Sequence, residues 1–247
     1  MFTAARRVLA AGVVLAGGLT LAVFGEDSRP NPAAIPLNRD NARHQQLLKL
    51  VAKGGGDIVF LGDSITERWD STGGKVWREV FAPLKAVNLG VGGDQTGHVL
   101  WRIREGKELE PLTPRVAVVL IGINNPVAHR PEEVAGGVEA IVAELKKQKP
   151  DIKVLVLGVF PCSLRRQDKA VQRIGAADLQ PRVKQINAAL AKLHDGKSIF
   201  FKDIGDRFLE EDGGLSQQVM SDYLHLGPKG YQIWADAIKE DVQKLLR

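Results

Sequence analysis

An alternation of short apolar runs with amphipathic stretches is the feature that most limits the folds open to this 247-residue chain. Runs that are apolar on both faces are typical of buried parallel strands. Strands joined through helices form a parallel sheet that is covered on both sides. The order therefore predicts an α/β fold, a three-layer α/β/α sandwich around a five-stranded parallel sheet. The predicted strands are 57–61, 86–89, 116–121, 153–157 and 198–201, and the helical patterns cover 96–105, 132–148, 181–194 and 228–246.

The first 25 residues have the pattern of a secretory signal peptide. Arg6 and Arg7 form a basic start, residues 8–24 carry no charge, and a polar stretch begins at Glu26. This pattern predicts a cleaved signal peptide at 1–25 and a secreted or periplasmic protein, without stable membrane insertion after cleavage. An uncleaved anchor stays open, because the 17 uncharged residues would span about 25 Å as a helix.

The rest of the chain divides into a leader and one domain. Residues 26–54 hold Pro30, Pro32 and Pro36, and they predict an extended leader followed by an N-terminal helix. Residues 55–247 contain all five apolar runs and no linker-like stretch, which predicts a single domain.

Charge and cysteine content exclude two classes of function. The formal charge is +5 for the full chain and +3 without residues 1–25, and the basic residues are scattered. Nucleic-acid binding normally needs a clustered basic face, so no nucleic-acid partner is expected. The single cysteine, Cys162, excludes an internal disulfide and a multi-cysteine zinc site, and we expect it to be a buried, inert thiol.

Residues with catalytic potential follow three of the predicted strands and precede the last helix. Ser64 follows the first strand, a glycine-rich stretch that contains Gly93 follows the second, and Asn124 follows the third. Asp222 and His225 stand shortly before the last helix. Because ligand sites of parallel sheets lie at the carboxyl ends of the strands, we expect all five residues at one edge of the sheet.

These residue types together support acyl transfer by a serine nucleophile. A serine hydroxyl needs an adjacent base, which His225 can supply, and Asp222 can orient that imidazole. The amides of Ser64 and Gly93 and the side chain of Asn124 are candidate donors for an oxyanion hole. Such a mechanism requires no metal and no cofactor. Each residue alone could be a helix cap or turn residue, so the prediction depends on their order along the chain.

The same four blocks resemble the SGNH/GDSL hydrolase superfamily, whose members carry Ser, Gly, Asn and a D-x-x-H pair. Within it the chain is most similar to the intracellular platelet-activating-factor acetylhydrolase catalytic subunits, on the stretches 88–102 and 134–142. The resemblance implies a flavodoxin-like SGNH hydrolase domain over 55–247 without a metal, and it leaves a homodimer open. It implies Ser64 as the nucleophile, Asp222 and His225 as the other triad members, and Gly93 and Asn124 as oxyanion-hole donors beside Ser64.

Two other classes of function compete with a serine esterase. A metal-dependent phosphoesterase would need several converging His and Asp ligands, and the chain has only five His. A non-catalytic sugar-binding module would use aromatic rings such as Trp69 and Trp77, for which core packing is the alternative and the stronger one at Trp77. The complete set of Ser64, Asp222 and His225 favours an enzyme over such a module. An α/β-hydrolase is excluded because G-x-S-x-G does not occur.

The sequence thus predicts an exported serine esterase that removes a short acyl group, acetyl above all, from a carbohydrate ester. The export signal favours carbohydrate as the alcohol half, and a short-chain lipid or lysophospholipid ester is the alternative. Ile65 beside the nucleophile and Leu224 beside the base are predicted to wall the acyl pocket and keep it short. The expected partner is a small-molecule or glycan ester substrate.

Overall fold

A five-stranded parallel sheet forms the centre of the computed structural model, which describes residues 29–162 and 179–247. The strands are β1 (Ile58–Gly62), β2 (Ala86–Gly90), β3 (Val116–Leu120), β4 (Lys153–Leu157) and β5 (Ile199–Lys202). They lie in the order β2-β1-β3-β4-β5, and every neighbouring pair is parallel. The predicted signal peptide at 1–25 lies outside the described residues.

Helices cover both faces of the sheet, which confirms the predicted three-layer sandwich. Within the described ranges the α-helices are α1 (Ala42–Val51), α2 (Ser64–Glu67), α3 (Gly74–Val80), α4 (Thr96–Arg104), α5 (Pro131–Gln148), α6 (Leu179–Leu190) and α7 (Pro228–Leu245). Apolar residues of α1, α4, α5 and α6 pack with one face, and those of α3 and α7 pack with the other. Among the described residues, no helix combines the length and hydropathy that a bilayer span needs.

Strand β1 shows why these sequences form parallel strands. All five of its residues are buried. Val59 and Leu61 belong to the core cluster on one face, whereas Ile58 and Phe60 belong to the cluster on the other. A central strand covered on both faces has no solvent side, so its sequence is continuously apolar rather than alternating.

The second core cluster is aromatic, and it settles the role of Trp69. The indole of Trp69 is 0% exposed and lies 4.5 Å from the ring of Tyr231 and 4.9 Å from that of Trp234, between ring centroids. Trp77 is partly buried and packs against Phe60 in the same cluster. The hypothesis that Trp69 stacks on a sugar is therefore wrong, because no face of its ring reaches solvent.

Most predicted elements lie within two residues of the observed ones. The exception is α6, predicted over 181–194 and observed over Leu179–Leu190, because the chain tightens into a 3₁₀ turn over Ala191–Leu193. The two short helices α2 and α3 are not visible in the sequence pattern, since neither contains enough turns to show a 3.6-residue period.

The segment before α1 packs on the sheet domain. Ala33 is buried, its carbonyl accepts the Thr96 hydroxyl at 2.7 Å, and the Leu37 amide donates to the Gly97 carbonyl at 2.9 Å. Gly97 needs to lack a side chain here, because a Cβ would lie 2.4 Å from the Ile35 carbonyl oxygen. The described part of the predicted leader therefore lies against the start of α4.

Candidate active site

Ser64 is held at the carboxyl end of β1 by a tight strand-to-helix turn. It is the first residue of α2, and the carboxylate of Asp63 caps that helix by accepting the Ile65 amide at 2.9 Å. Gly62 makes the turn this close, because a Cβ there would lie 2.4 Å from the Leu120 carbonyl oxygen. Ser64 therefore lies at the edge of the sheet, between two fixed points of the backbone. These are the close approach of Gly62 to the Leu120 carbonyl and the capping hydrogen bond from the Ile65 amide to Asp63.

A chain of hydrogen bonds joins Ser64 to His225 and Asp222. The Ser64 Oγ lies 2.9 Å from the His225 Nε2, and the His225 Nδ1 lies 2.7 Å from the Asp222 Oδ2. The second oxygen of Asp222 accepts the amides of Leu224 at 3.1 Å and His225 at 2.7 Å. Ser64 and His225, which are 161 positions apart in the sequence, are thus brought into one contact series with Asp222.

Asp222 is an ionised acceptor across the ordinary pH range. Partial burial alone would raise the pKa of this carboxyl, but the hydrogen bonds from the His225 ring and from the His225 and Leu224 amides outweigh it and hold the pKa at about 2. A carboxylate at Nδ1 places the ring proton on that nitrogen and leaves Nε2 with a lone pair that faces Ser64.

The D-x-x-H turn depends on one unusual backbone conformation. Tyr223 has φ of 60°, in the left-handed region that costs a residue with a side chain about 1–2 kcal/mol. This turn places Asp222 and His225 so that the carboxylate caps the amides beyond it and contacts the imidazole at the same time. Such strain is found where a functional geometry requires it.

The glycine-rich loop after β2 lies beside Ser64. A Cβ on Gly92 would be 3.8 Å from the Ser64 Cβ, and Gly93 has φ of +77°, which favours glycine. Within the described ranges, no hydrogen bond uses the amide of Ser64 or of Gly93. Both N–H groups therefore stay available to an oxyanion.

Asn124 adjoins this loop, as the sequence predicts. One N–H of its side-chain amide donates to the Asp94 carbonyl at 3.0 Å, and the amide has a second N–H. Its neighbour Asn125 is buried and anchors the start of α4, where its side chain accepts the Thr96 amide at 3.2 Å and donates to the Thr96 hydroxyl at 2.9 Å. The two asparagines thus have different roles. Asn125 holds the end of the glycine-rich loop at Thr96, and Asn124 borders the candidate active site.

The two residues predicted to wall an acyl pocket differ in exposure. Ile65 is 3% exposed and packs in the aromatic core cluster, where its carbonyl accepts the Tyr231 hydroxyl at 2.7 Å. Leu224 is half-buried beside His225. Ile65 therefore supports the floor of the site more than it presents a surface to it.

A buried network of charges lies beneath the glycine-rich loop, and sequence reasoning missed it. Arg102 is fully buried and donates to Asp94 at 2.8 Å and to Glu108, whose other oxygen lies 2.7 Å from the His44 Nδ1. Arg39 donates to the remaining oxygen of Asp94 at 2.8 Å. Burial raises the pKa of Asp94, while the charges of Arg102 and Arg39 lower it. No local sequence signal reveals these contacts: Arg102 is eight residues from Asp94 and six from Glu108 without a motif that joins them, and the partners of Arg39 and His44 are 55 and 64 positions away.

Two further side chains are titratable and buried. Desolvation raises the pKa of Asp63 to about 7, helped by the charge of Asp94 and opposed by the hydrogen bond from the Ile65 amide. Burial raises the pKa of Cys162 to about 11, which makes it the inert thiol that the sequence predicts. Among the described residues, no group of three or more His, Cys, Asp or Glu side chains is arranged to hold a metal ion.

Comparison with known proteins shows similarity to one family in sequence and to a solved structure in fold. Residues 60–233 match the model of the GDSL-like lipase/acylhydrolase family. Platelet-activating factor acetylhydrolase IB subunit alpha2 of Gallus gallus is 35% identical over 229 residues, which cover 87% of this chain and 92% of that protein. Subunit alpha1 of Rattus norvegicus is 37% identical over 195 residues, covering 77% and 76% respectively. A GDSL-like lipase of Bacteroides thetaiotaomicron has the same fold, with a TM-score of 0.65, 21% identity and coverage of 81% and 97%.

Proposed function

Because the chain belongs to the GDSL-like lipase/acylhydrolase family and is a carboxylic ester hydrolase of that type, we propose that Ser64, His225 and Asp222 are its catalytic triad. We further propose that it removes short acyl groups, acetyl in particular. The observation that carries the triad is the continuous hydrogen-bond series from the Ser64 Oγ through the imidazole to the Asp222 carboxylate.

The geometry supports a two-step acyl transfer. As the Ser64 Oγ attacks the ester carbonyl, the His225 Nε2 takes the hydroxyl proton, and Asp222 stabilises the imidazolium that forms. The tetrahedral intermediate expels the alkoxide, which receives that proton from His225 and leaves as the alcohol. Water then attacks the acyl-enzyme and gives a proton to His225; as the second tetrahedral intermediate collapses to the acid, His225 returns that proton to the Ser64 Oγ, which restores the serine and the neutral base.

The oxyanion of both intermediates would be bound by the amides of Ser64 and Gly93 and by the Asn124 side chain. The two amides make no other hydrogen bond within the described ranges, and the loop that carries Gly93 borders the nucleophile. A donor fixed in advance contributes a factor of about 10² to 10³ to turnover, because it does not reorganise as the charge develops.

A short acyl limit is supported by Leu224 and by the relatives. Leu224 is half-buried next to His225, Ile65 next to Ser64 supports the floor of the site from within the core, and the matched relatives are named acetylhydrolases. If these side chains close the acyl site, Ile65→Ala and Leu224→Ala should each raise the octanoate-to-acetate ratio of kcat/KM. An unchanged ratio in both variants would refute the assignment.

Carbohydrate is the proposed alcohol half, on the basis of the expected export signal. Edman sequencing of the protein recovered from the periplasm of an expressing bacterium should begin near Glu26; recovery of the uncut chain from the membrane would contradict cleavage.

A lipid ester is the second candidate, favoured by relatives named for platelet-activating factor. Faster release of acetate from an acetylated glycan than from a short-chain phospholipid would support the first candidate, and the reverse the second.

The triad is tested by ester hydrolysis with the full chain. The wild type should turn over p-nitrophenyl acetate faster than the octanoate, with no loss in EDTA, and Ser64→Ala should abolish turnover while keeping the wild-type circular dichroism spectrum. Turnover that survives in Ser64→Ala would remove the nucleophile assignment.

A further inference from the structure

The peptide group between Gly92 and Gly93 carries one of the proposed oxyanion donors, the Gly93 N–H. A rotation of this peptide would turn the N–H away from Ser64. In a planar trans peptide the carbonyl of Gly92 and the N–H of Gly93 point in opposite directions. The direction of the carbonyl therefore decides whether the N–H faces Ser64. Neither glycine has a Cβ to restrict rotation of this peptide, so something else must fix it.

Arg39 holds that carbonyl. Its Nη2 donates to the Gly92 carbonyl oxygen, and its Nε donates to the Asp94 Oδ1 at 2.8 Å. The guanidinium thus bridges the residues on both sides of Gly93. A Cβ on Gly93 would lie 3.3 Å from the Arg39 Nη2, which places the guanidinium against the same peptide group.

The other groups of the loop are fixed separately. The Gly92 amide donates to the Glu67 Oε2 at 2.6 Å, and the Asp94 carbonyl accepts the Asn124 side chain at 3.0 Å. Among the hydrogen bonds of the described residues, only the one from Arg39 reaches the Gly92 carbonyl. The Asp94 amide closes the turn around this peptide by donating to the Val91 carbonyl at 3.2 Å, and Arg39 is the side chain that holds the peptide's own carbonyl.

Arg39 can act this way because its own anchor is rigid. The side chain of Asp94 is 0% exposed and receives the fully buried Arg102 on its other oxygen at 2.8 Å. The Arg39 side chain is 28% exposed, so its far edge reaches solvent while its donors face the loop. Both donors are part of one planar fork, a geometry that lysine cannot reproduce.

We infer that Arg39 is a positioning residue, which holds the Gly92–Gly93 peptide so that the Gly93 N–H faces the oxyanion. This role rests on the proposed function, because it concerns the oxyanion hole of the serine esterase. It also places the segment before α1 in the active-site architecture, although that segment lies outside the blocks that carry the catalytic residues.

The test compares Arg39→Ala and Arg39→Lys with Arg104→Ala in the full chain, using p-nitrophenyl acetate. Arg104 is a matched control, because it also pairs with a carboxylate, Glu144 at 3.1 Å, but does not contact the loop. We expect Arg39→Ala to lower kcat about 10- to 100-fold with KM within about twofold, since it weakens one transition-state donor rather than substrate binding. Arg39→Lys should lie between this variant and the wild type, and Arg104→Ala should match the wild type.

A second readout separates positioning from a general loss of structure. Phenylboronic acid forms a tetrahedral adduct with a catalytic serine, so its Ki should rise in Arg39→Ala by about the same factor as kcat falls. A kcat within twofold of the wild type in both Arg39 variants, or an unchanged Ki, would overturn the role of Arg39 alone. A wild type without Ser64-dependent turnover would overturn the proposed function and this role with it.

Discussion

Asp63 makes the stability of this protein fall as the pH rises, and a single substitution should remove that dependence. The residue is 1% exposed, and burial raises the pKa of its carboxyl from 3.8 to about 7. Between these two values the folded chain keeps a proton that the unfolded chain releases. The contribution of Asp63 to the free energy of unfolding is therefore fully present below about pH 4. It is lost as the pH rises through about 7.

The size of this loss follows from the shift. About three pKa units correspond to about 4 kcal/mol at 1.36 kcal/mol per unit, which is an upper value because the surroundings relax around the charge. Asparagine matches the neutral carboxyl in size, stays uncharged at every pH, and can still accept the Ile65 amide as a helix cap. We expect Asp63→Asn to be more stable than the wild type by about 2–4 kcal/mol at pH 8 and nearly equal to it at pH 4.

Urea unfolding between pH 4 and pH 8 measures the effect as the difference between the two free energies of unfolding. Asp236→Asn is the control, because Asp236 is exposed and its pKa is lowered by the Lys239 and Gln232 side chains, so this change should leave the wild-type slope between pH 5 and pH 8. A difference between Asp63→Asn and the wild type that does not grow with pH would contradict a raised pKa of Asp63. A variant that is less stable than the wild type at pH 8 would contradict it as well.

Three further measurements test the site and its packing. Asp222→Asn should lower kcat by about 10⁴ with the fold intact, because an amide does not hold the required tautomer of His225; steady-state kinetics on a variant with wild-type circular dichroism checks this. Since the pKa of Asp222 is about 2, this carboxylate stays charged between pH 5 and pH 8, so kcat/KM of the wild type should rise with pH in this range as a histidine base loses its proton, and a flat profile would contradict a histidine base. Gly90→Ala places a Cβ 2.1 Å from the Glu67 amide nitrogen and should cost about 3 kcal/mol or more in thermal unfolding, whereas Gly213→Ala meets open space at φ of +79° and should cost about 1; equal losses would contradict this packing.

The sheet and the places of the candidate catalytic residues along the chain could be predicted because their signals are local. Each strand is a continuous apolar run with a turn behind it, and Ser64, Gly93 and Asn124 stand directly after three of those runs. The rule that sites form at the carboxyl ends of parallel strands then places these residues together without any knowledge of distances.

The supporting network could not be predicted because it depends on contacts between distant positions. Arg39 and Asp94 are 55 residues apart, and neither stands in a motif that requires the other. Trp69 illustrates the same limit: its burial is decided by Tyr231 and Trp234 on α7, so its own surroundings in the sequence are equally compatible with an exposed ring. Local patterns indicate candidate reactive residues, whereas the packing that orients them is fixed by the tertiary fold.

Covalent labelling tests directly whether Ser64 is a nucleophile activated by His225. The full chain is incubated with a fluorophosphonate, digested, and mapped by mass spectrometry, with Ser64→Ala and His225→Ala treated alongside. We expect one phosphonyl adduct on the Ser64 peptide, none there in Ser64→Ala, and a labelling rate at least about 10²-fold slower in His225→Ala. An adduct on another residue, or labelling that proceeds equally fast without His225, would contradict it.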